Sequence, residues 1–154
     1  PAKLIELGIK KVLLLIPDNR SRFEVLKLCT KNGFDLISAI HPNAEIMEGA
    51  LIEPGVWINS GVIIGYKAVI KSGALINTRT IVEHHNILEP CCQLDPAVVT
   101  AGNVTIGECA HIHMGALIAN RKNVGADAIV GAGAVVLSDV PPNLTVAGVP
   151  AKKI

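Results

Sequence analysis

Between Ile46 and Val136 the chain repeats every six residues without a break. Steps of six from Ile46 meet Ile52, Ile58, Ile64, Ile70, Ile76, Val82, Leu88, Leu94, Thr100, Ile106, Ile112, Ile118, Val124, Val130 and Val136, so fifteen of these sixteen positions are aliphatic. Two residues ahead of each, the side chain is mostly small, as at Ala50, Ala68, Ala74, Thr80, Asn86, Cys92, Ala110, Ala116, Ala128 and Ala134. A helix needs a spacing of three to four, and an ordinary strand alternates by two and then stops at a turn. Only a solenoid of very short repeats sustains a period of six over ninety residues. Each hexad supplies a short strand and a turn, with the aliphatic residue inward and the small residue at the corner. Three hexads close one triangular coil of 18 residues, and successive coils stack as parallel strands about 4.8 Å apart. Sixteen hexads give about five coils. The period by itself leaves the hand of the winding open.

Composition agrees with a thin aliphatic core. Half of the 154 residues are apolar, yet only four are aromatic. A net charge of +1 gives no broad electrostatic case for nucleic acid or an anionic membrane. No apolar run reaches membrane-spanning length, and no signal sequence opens the chain. Cys29, Cys91, Cys92 and Cys109 lack metal-finger or redox spacing, so free thiols and a cytoplasmic location are expected. Mean hydropathy is high, at +0.47. Flat β-helix faces make oligomerisation the simplest cover for that apolar surface.

Residues 1–41 do not share the period. Ala2–Leu7, closed by Gly8, has the pattern of a helix end. The run from Lys11 to Ile16 predicts a strand buried on both faces. Pro17-Asp18-Asn19 is a capping turn, and Arg20 to Lys31 a helix with Phe23, Leu26 and Thr30 on one side. Phe34 to Ile40 predicts a second strand. This segment reads as an incomplete, Rossmann-like α/β unit without its opening strand and glycine-rich phosphate loop. The beginning at Pro1-Ala2 fits either an upstream part removed or one naturally absent. The fold class expected is therefore all-β dominant, with residues 1–41 a partial α/β segment and 42–154 a β-helix. Trp57 is expected to face outward, and the tail from Val146 to Ile154 to cap or flank the stack.

Chemistry is expected where the repeat turns polar. His84 and His85 lie on one corner, and Gly102 follows His84 by eighteen residues, one coil up at the same corner. An imidazole beside a backbone without a side chain offers a base and an N–H donor to one ligand, the pair that acyl transfer uses. His111 and His113 flank the inward Ile112 and so point away from the core, to solvent, to a subunit interface, or with His84 to a metal. Gly131-Ala132-Gly133 reads as a tight corner and equally as a groove for a narrow ligand. Lys152 and Lys153 suit a solvated tail or a phosphate contact.

The chain resembles the hexapeptide-repeat sugar O-/N-acetyltransferases of the sialic acid and bacillosamine type. The resemblance rests on Ile40-His41-Pro42-Asn43-Ala44, Ile76-Asn77-Thr78, Val82-Glu83-His84, the run from Ala101 to Gly107, Val130 to Val136, and Gly148-Val149-Pro150-Ala151-Lys152. It also extends through Ile16-Pro17-Asp18-Asn19 to Arg22. It implies a left-handed winding, a homotrimer, acetyl-CoA as co-substrate, and a sugar or nucleotide-sugar acceptor. It also implies His84 as general base, Gly102 as a backbone donor at the thioester carbonyl, and Gln93, Met114 and Ala132 at acetyl-CoA. The family's acid after the base is here His85, its second histidine is Gln93, and a glycine after the second apolar run is Pro17. The competing readings are a non-catalytic β-helix for assembly or ligand binding, and a zinc site of the kind found in hexapeptide-repeat carbonic anhydrases.

Overall fold

Each hexad folds as a two-residue strand and a tight turn, and strands eighteen residues apart pair in parallel, in register. The computed structural model describes residues 2–154. Three sheets result. The first face carries Ala39–Ile40, Trp57–Ile58, Leu75–Ile76, Gln93–Leu94, His111–Ile112, Ile129–Val130 and Thr145–Ala147. The second carries Glu45–Ile46, Ile63–Ile64, Ile81–Val82, Val99–Thr100, Leu117–Ile118 and Val135–Val136. The third carries Leu51–Ile52, Val69–Ile70, Ile87–Leu88, Thr105–Ile106 and Asn123–Val124. The chain is a left-handed parallel β-helix of about six turns. The stack exceeds the expected five coils because Ala39–Ile40 already pairs with Trp57–Ile58, and Val146 pairs above Val130. At its upper edge Lys152–Lys153 turns back antiparallel on Val146–Ala147, so the tail closes this sheet.

The second residue of each strand points inward. Ile58, Ile76, Leu94, Ile112 and Val130 form one column, each at most 1% exposed. The small positions are inward too; at two of them the polar Thr80 and Asn86 are fully buried, as is Thr100 in the aliphatic column. All four cysteines are free and buried.

The N-terminal unit consists of α1 (Ala2–Glu6), β1 (Lys11–Val12), α2 (Asn19–Lys31) and β2 (Asp35–Leu36), with β1 and β2 paired in parallel. Asp18 caps α2 by accepting from the Ser21 N–H at 2.7 Å. Three expectations need correction. The strand from Lys11 ends at Val12, and beyond it Leu14 is buried while Leu13 and Leu15 are exposed, so this run is covered on one side only. Phe34–Ile40 is two separate strands, the second already a rung of the β-helix. The buried stripe of α2 is Asn19, Arg22, Leu26 and Cys29, whereas Thr30 is exposed and Phe23 only half-buried.

That stripe is polar because α2 docks on backbone. Arg22, 1% exposed, donates from Nε to Gly73 O at 2.8 Å and from Nη2 to Cys91 O at 2.9 Å. Its other bonds reach Ile16 O, Pro17 O and Asn19 Oδ1. Asn19 Nδ2 in turn donates to Cys109 O at 3.1 Å. Gly73, Cys91 and Cys109 are the same corner in three successive coils, so Arg22 and Asn19 fasten the helix along the stack. Leu14, Leu26, Cys29 and Phe34 pack beside these contacts against Cys91 and Cys109. Arg20 adds an exposed ion pair with Glu108 at 2.8 Å and another with Asp127.

Two variants test this architecture by denaturant unfolding. Ile112→Ala should cost about 2–5 kcal/mol, as expected for a deeply buried aliphatic. Arg22→Ala leaves buried carbonyls unpartnered and should cost on the order of 3 kcal/mol. That loss should appear first as protease cleavage near residues 13–17, while the β-helix amides keep their exchange protection.

Candidate functional site

The corner 83–86 departs from a plain repeat in both its buried and its exposed residues. Inside, Asn86 uses its whole amide. Its Nδ2 donates to Glu83 O at 2.6 Å, Thr100 Oγ1 at 3.0 Å and Ala101 O at 3.1 Å. Its Oδ1 accepts from Val104 N at 2.6 Å. Asn86 and Thr100 thus tie corner 83–86 to corner 101–104 directly above it. The one break in the aliphatic column therefore marks the corner that presents His84.

Outside, His84 and Gly102 are stacked. A Cβ built on Gly102 would lie 2.5 Å from His84 Nε2, so only glycine leaves room for the ring. Among the described residues the Gly102 N–H is bonded to no acceptor, while His84 O accepts from Asn103 N at 3.0 Å. His85 occupies the left-handed turn position, with φ of 57°, and its N–H donates to Tyr66 O at 2.9 Å. The two imidazoles meet edge to face, Nδ1 to Nδ1, at 3.1 Å. One of those nitrogens must donate and the other accept. With His84 as donor, its Nε2 keeps a lone pair beside Gly102. The structure therefore brings His84, His85 and Gly102 together.

Gln93, Met114 and Ala132 lie elsewhere. Met114 and Ala132 are exposed on the corner between the first and second faces, where Gly133 N donates to Met114 O at 2.9 Å. Gln93 is on the first face below His111, where the Gln93 and His111 backbones pair. Its Nε2 donates to Asp95 Oδ1 at 2.8 Å. His111 Nε2 and His113 Nδ1 both meet Asp95 Oδ2, at 3.0 Å and 3.2 Å. The metal trio of His84, His111 and His113 is not assembled, because His84 sits on the next corner round the coil. Sequence reading missed Asp95, which there looks like an ordinary turn residue. The available signal was its place eighteen residues before His113.

Electrostatics separate these groups. Burial would raise the Asp95 carboxyl, but hydrogen bonds from Gln93 and both histidines hold it below its ordinary range. Burial pushes His111 down, outweighing the carboxylate beside it. The thiols of Cys91 and Cys109 are pushed up by burial, to about 11 and about 12. Neither is an activated nucleophile.

No protein-family model matches the chain. Solved structures do. PerB from Caulobacter crescentus, crystallised with CoA and GDP-perosamine, is 38% identical with a TM-score of 0.95, over 99% of this chain and 73% of that one. The acetyltransferase domain of PglB from Neisseria gonorrhoeae is 30% identical with a TM-score of 0.94, over 99% of this chain and 77% of that one. The same domain in complex with acetyl coenzyme A matches at 32% identity and a TM-score of 0.91, over 94% and 70%. Serine acetyltransferase from Buchnera aphidicola is 36% identical over 117 residues, or 75% of this chain, which spans only 39% of that protein's length. From its identity to PerB and a fold shared along nearly its whole length, the chain belongs to the hexapeptide-repeat, acetyl-CoA-dependent sugar N-acetyltransferases.

Proposed function

We propose that the chain moves an acetyl group from acetyl-CoA to the primary amine of a nucleotide-linked amino sugar, with His84 as general base. The observation that carries this is the packing of the His84 ring against Gly102, which puts an imidazole nitrogen beside a backbone whose N–H has no acceptor among the described residues. The sugar amine attacks the thioester carbonyl, forming the C–N bond, and the Gly102 N–H stabilises the developing oxyanion. The ammonium proton passes to His84 Nε2, the C–S bond breaks, and His84 returns the proton to the departing CoA thiolate. His85 fills the place of the family's acid by accepting a hydrogen bond from His84 Nδ1–H, which fixes the tautomer. No enzyme-bound acetyl intermediate is required, and the buried thiols would make poor acceptors for one.

The ligands in the relatives' structures support the same substrate classes. CoA and GDP-perosamine occupy PerB, including variants with one histidine replaced, and acetyl coenzyme A occupies the PglB domain. We assign residues 42–154, together with the first rung at Ala39–Ile40, to the transferase domain and the residues before that rung to the nucleotide-binding side. Met114 and Ala132 are assigned to the acetyl-CoA groove, with Gln93 near its thioester end.

The assembly is part of the proposal. Within one chain, His84 and Gly102 border one edge of the second face, and Met114 and Ala132 border the other. Above Glu45 in its lowest coil, the outward column of that face is aliphatic: Ile63, Ile81, Val99, Leu117 and Val135. The third face turns polar in its upper coils, at Thr105 and Asn123, and α2 lies along the corner between the third and first. The second face is therefore the one that further copies best cover. A trimer would set the base corner of one chain against the acetyl-CoA corner of its neighbour.

His84→Ala should lower kcat by roughly 10²–10⁴ while changing KM for acetyl-CoA little. Gly102→Ala should fold normally, because the exposed ring can swing aside. It should nevertheless lose kcat with a base still present, since that ring no longer stands over the donor. Parent-level turnover by either variant on an amino-sugar nucleotide would refute the assignment. Sedimentation should give three times 16.2 kDa, and a stable monomer at micromolar concentration would remove the intersubunit site.

A further inference from the structure

Asp95, His111 and His113 take no part in the transfer step, yet their side chains converge. One atom from each lies within 4.8 Å of the other two, an arrangement seen nowhere else among the described residues. Both imidazoles address the same carboxylate oxygen, Oδ2, at 3.0 Å and 3.2 Å. Those separations are close to the roughly 3.3 Å edge of a tetrahedron with bonds of about 2.0 Å, as around zinc. The rings lie 4.0 Å apart between centroids. Two protonated imidazoles so close would repel each other across a single carboxylate.

The surroundings are those of supported ligands. Asp95 Oδ1 is held by Gln93 Nε2 at 2.8 Å and, more weakly, by Asn77 Nδ2 at 3.5 Å, which leaves Oδ2 to the two imidazoles. Asn77 is bonded by Asn59 one coil below at 2.7 Å, and Asn59 by Trp57 of its own coil at 3.0 Å. Thr80 fixes the Asp95 backbone by donating to its carbonyl at 2.9 Å. Such outer partners orient metal-ligating carboxylates. The amide of Gln93 also leaves Oε1 buried with no donor, the one such side-chain atom among the described residues. A water held by an ion at Asp95 is a donor of the kind this oxygen lacks.

We propose that Asp95 Oδ2, His111 Nε2 and His113 Nδ1 bind a divalent transition-metal ion of the zinc class, leaving one coordination position open to water. A set of two imidazoles and one carboxylate suits zinc and its first-row neighbours rather than calcium or magnesium. Within one chain the site lies on a different corner from His84 and Gly102, and its test uses neither acetyl-CoA nor acceptor, so its failure is distinguishable from failure of the transferase reading.

The test uses the full chain, stripped with a chelator, dialysed, and titrated with Zn²⁺ and separately with Co²⁺. One Zn²⁺ per chain is expected, and bound Co²⁺ should show a nitrogen–oxygen spectrum without a thiolate charge-transfer band. Asp95→Asn, His111→Ala and His113→Ala should each weaken Zn²⁺ binding by about 100-fold or more, and Gln93→Ala by about 10-fold. His84→Ala should leave binding unchanged. Zn²⁺ should also raise the melting temperature of the parent. Sub-stoichiometric Zn²⁺, a thiolate band, or unaltered affinity in the His111 and His113 variants would overturn the proposal. In the first case the cluster is a hydrogen-bonded Asp–His pair only. Should the substituted chains unfold, the parent's stoichiometry and cobalt spectrum decide.

Discussion

The β-helix depends on one backbone conformation repeated at every corner. From Gly49 to Gly133, every sixth residue has a positive φ. Six of these are glycines; the other nine are Lys67, Arg79, His85, Cys91, Ala97, Asn103, Cys109, Arg121 and Asp127. For a residue with a Cβ this conformation costs roughly 1–2 kcal/mol. It persists because each such residue donates its N–H to a carbonyl one coil below, as His85 does to Tyr66, Cys91 to Ser72, Asn103 to His84 and Arg121 to Gly102. The corners therefore stack as rigidly as the strands, and a single insertion would put every later corner out of register.

Rigid stacking gives the corner residues their chemical use. The residue just before each left-handed position stands at the outer edge, and its counterpart one coil up is directly above it. His84 below Gly102 is one such pair, and the ring fits because the upper residue lacks a side chain. Buried polar residues secure the two corners that matter. Asn86 and Thr100 join 83–86 to 101–104, and Thr80 holds the carbonyl of Asp95. Thr80, Asn86 and Thr100 are the fully buried polar residues of the inward columns, so the core gives up hydrophobic burial where the surface above needs fixed geometry.

This explains what could be read from the sequence. The period, the inward column and the pairing of His84 with Gly102 were legible, because a constant spacing of eighteen turns sequence distance into height. The left-handed corners were not, since residues as different as Lys67, Cys91 and Asp127 occupy them and backbone pairing, not side-chain preference, selects the conformation. The buried face of α2 was also hidden. An apolar stripe is sought where a helix packs on side chains, but Arg22 and Asn19 face coil carbonyls and must be donors. The Asp95 cluster was half-legible: His111 and His113 stood out as polar, but their partner comes from the coil below.

The second face places the two candidate chemistries in one relation. His84 and Gly102 lie at its one edge, and Asp95, His113 and Met114 at the other, with the aliphatic column from Ile63 to Val135 between them. A β-helix has no interior cleft, because its core is filled by its own inward columns. A ligand needing enclosure on several sides must therefore find its other wall on another molecule. In the trimer proposed above, assembly and active-site formation would be one event. Association driven by burial of this aliphatic face would bring the His84 corner of one chain to the Met114 corner of the next.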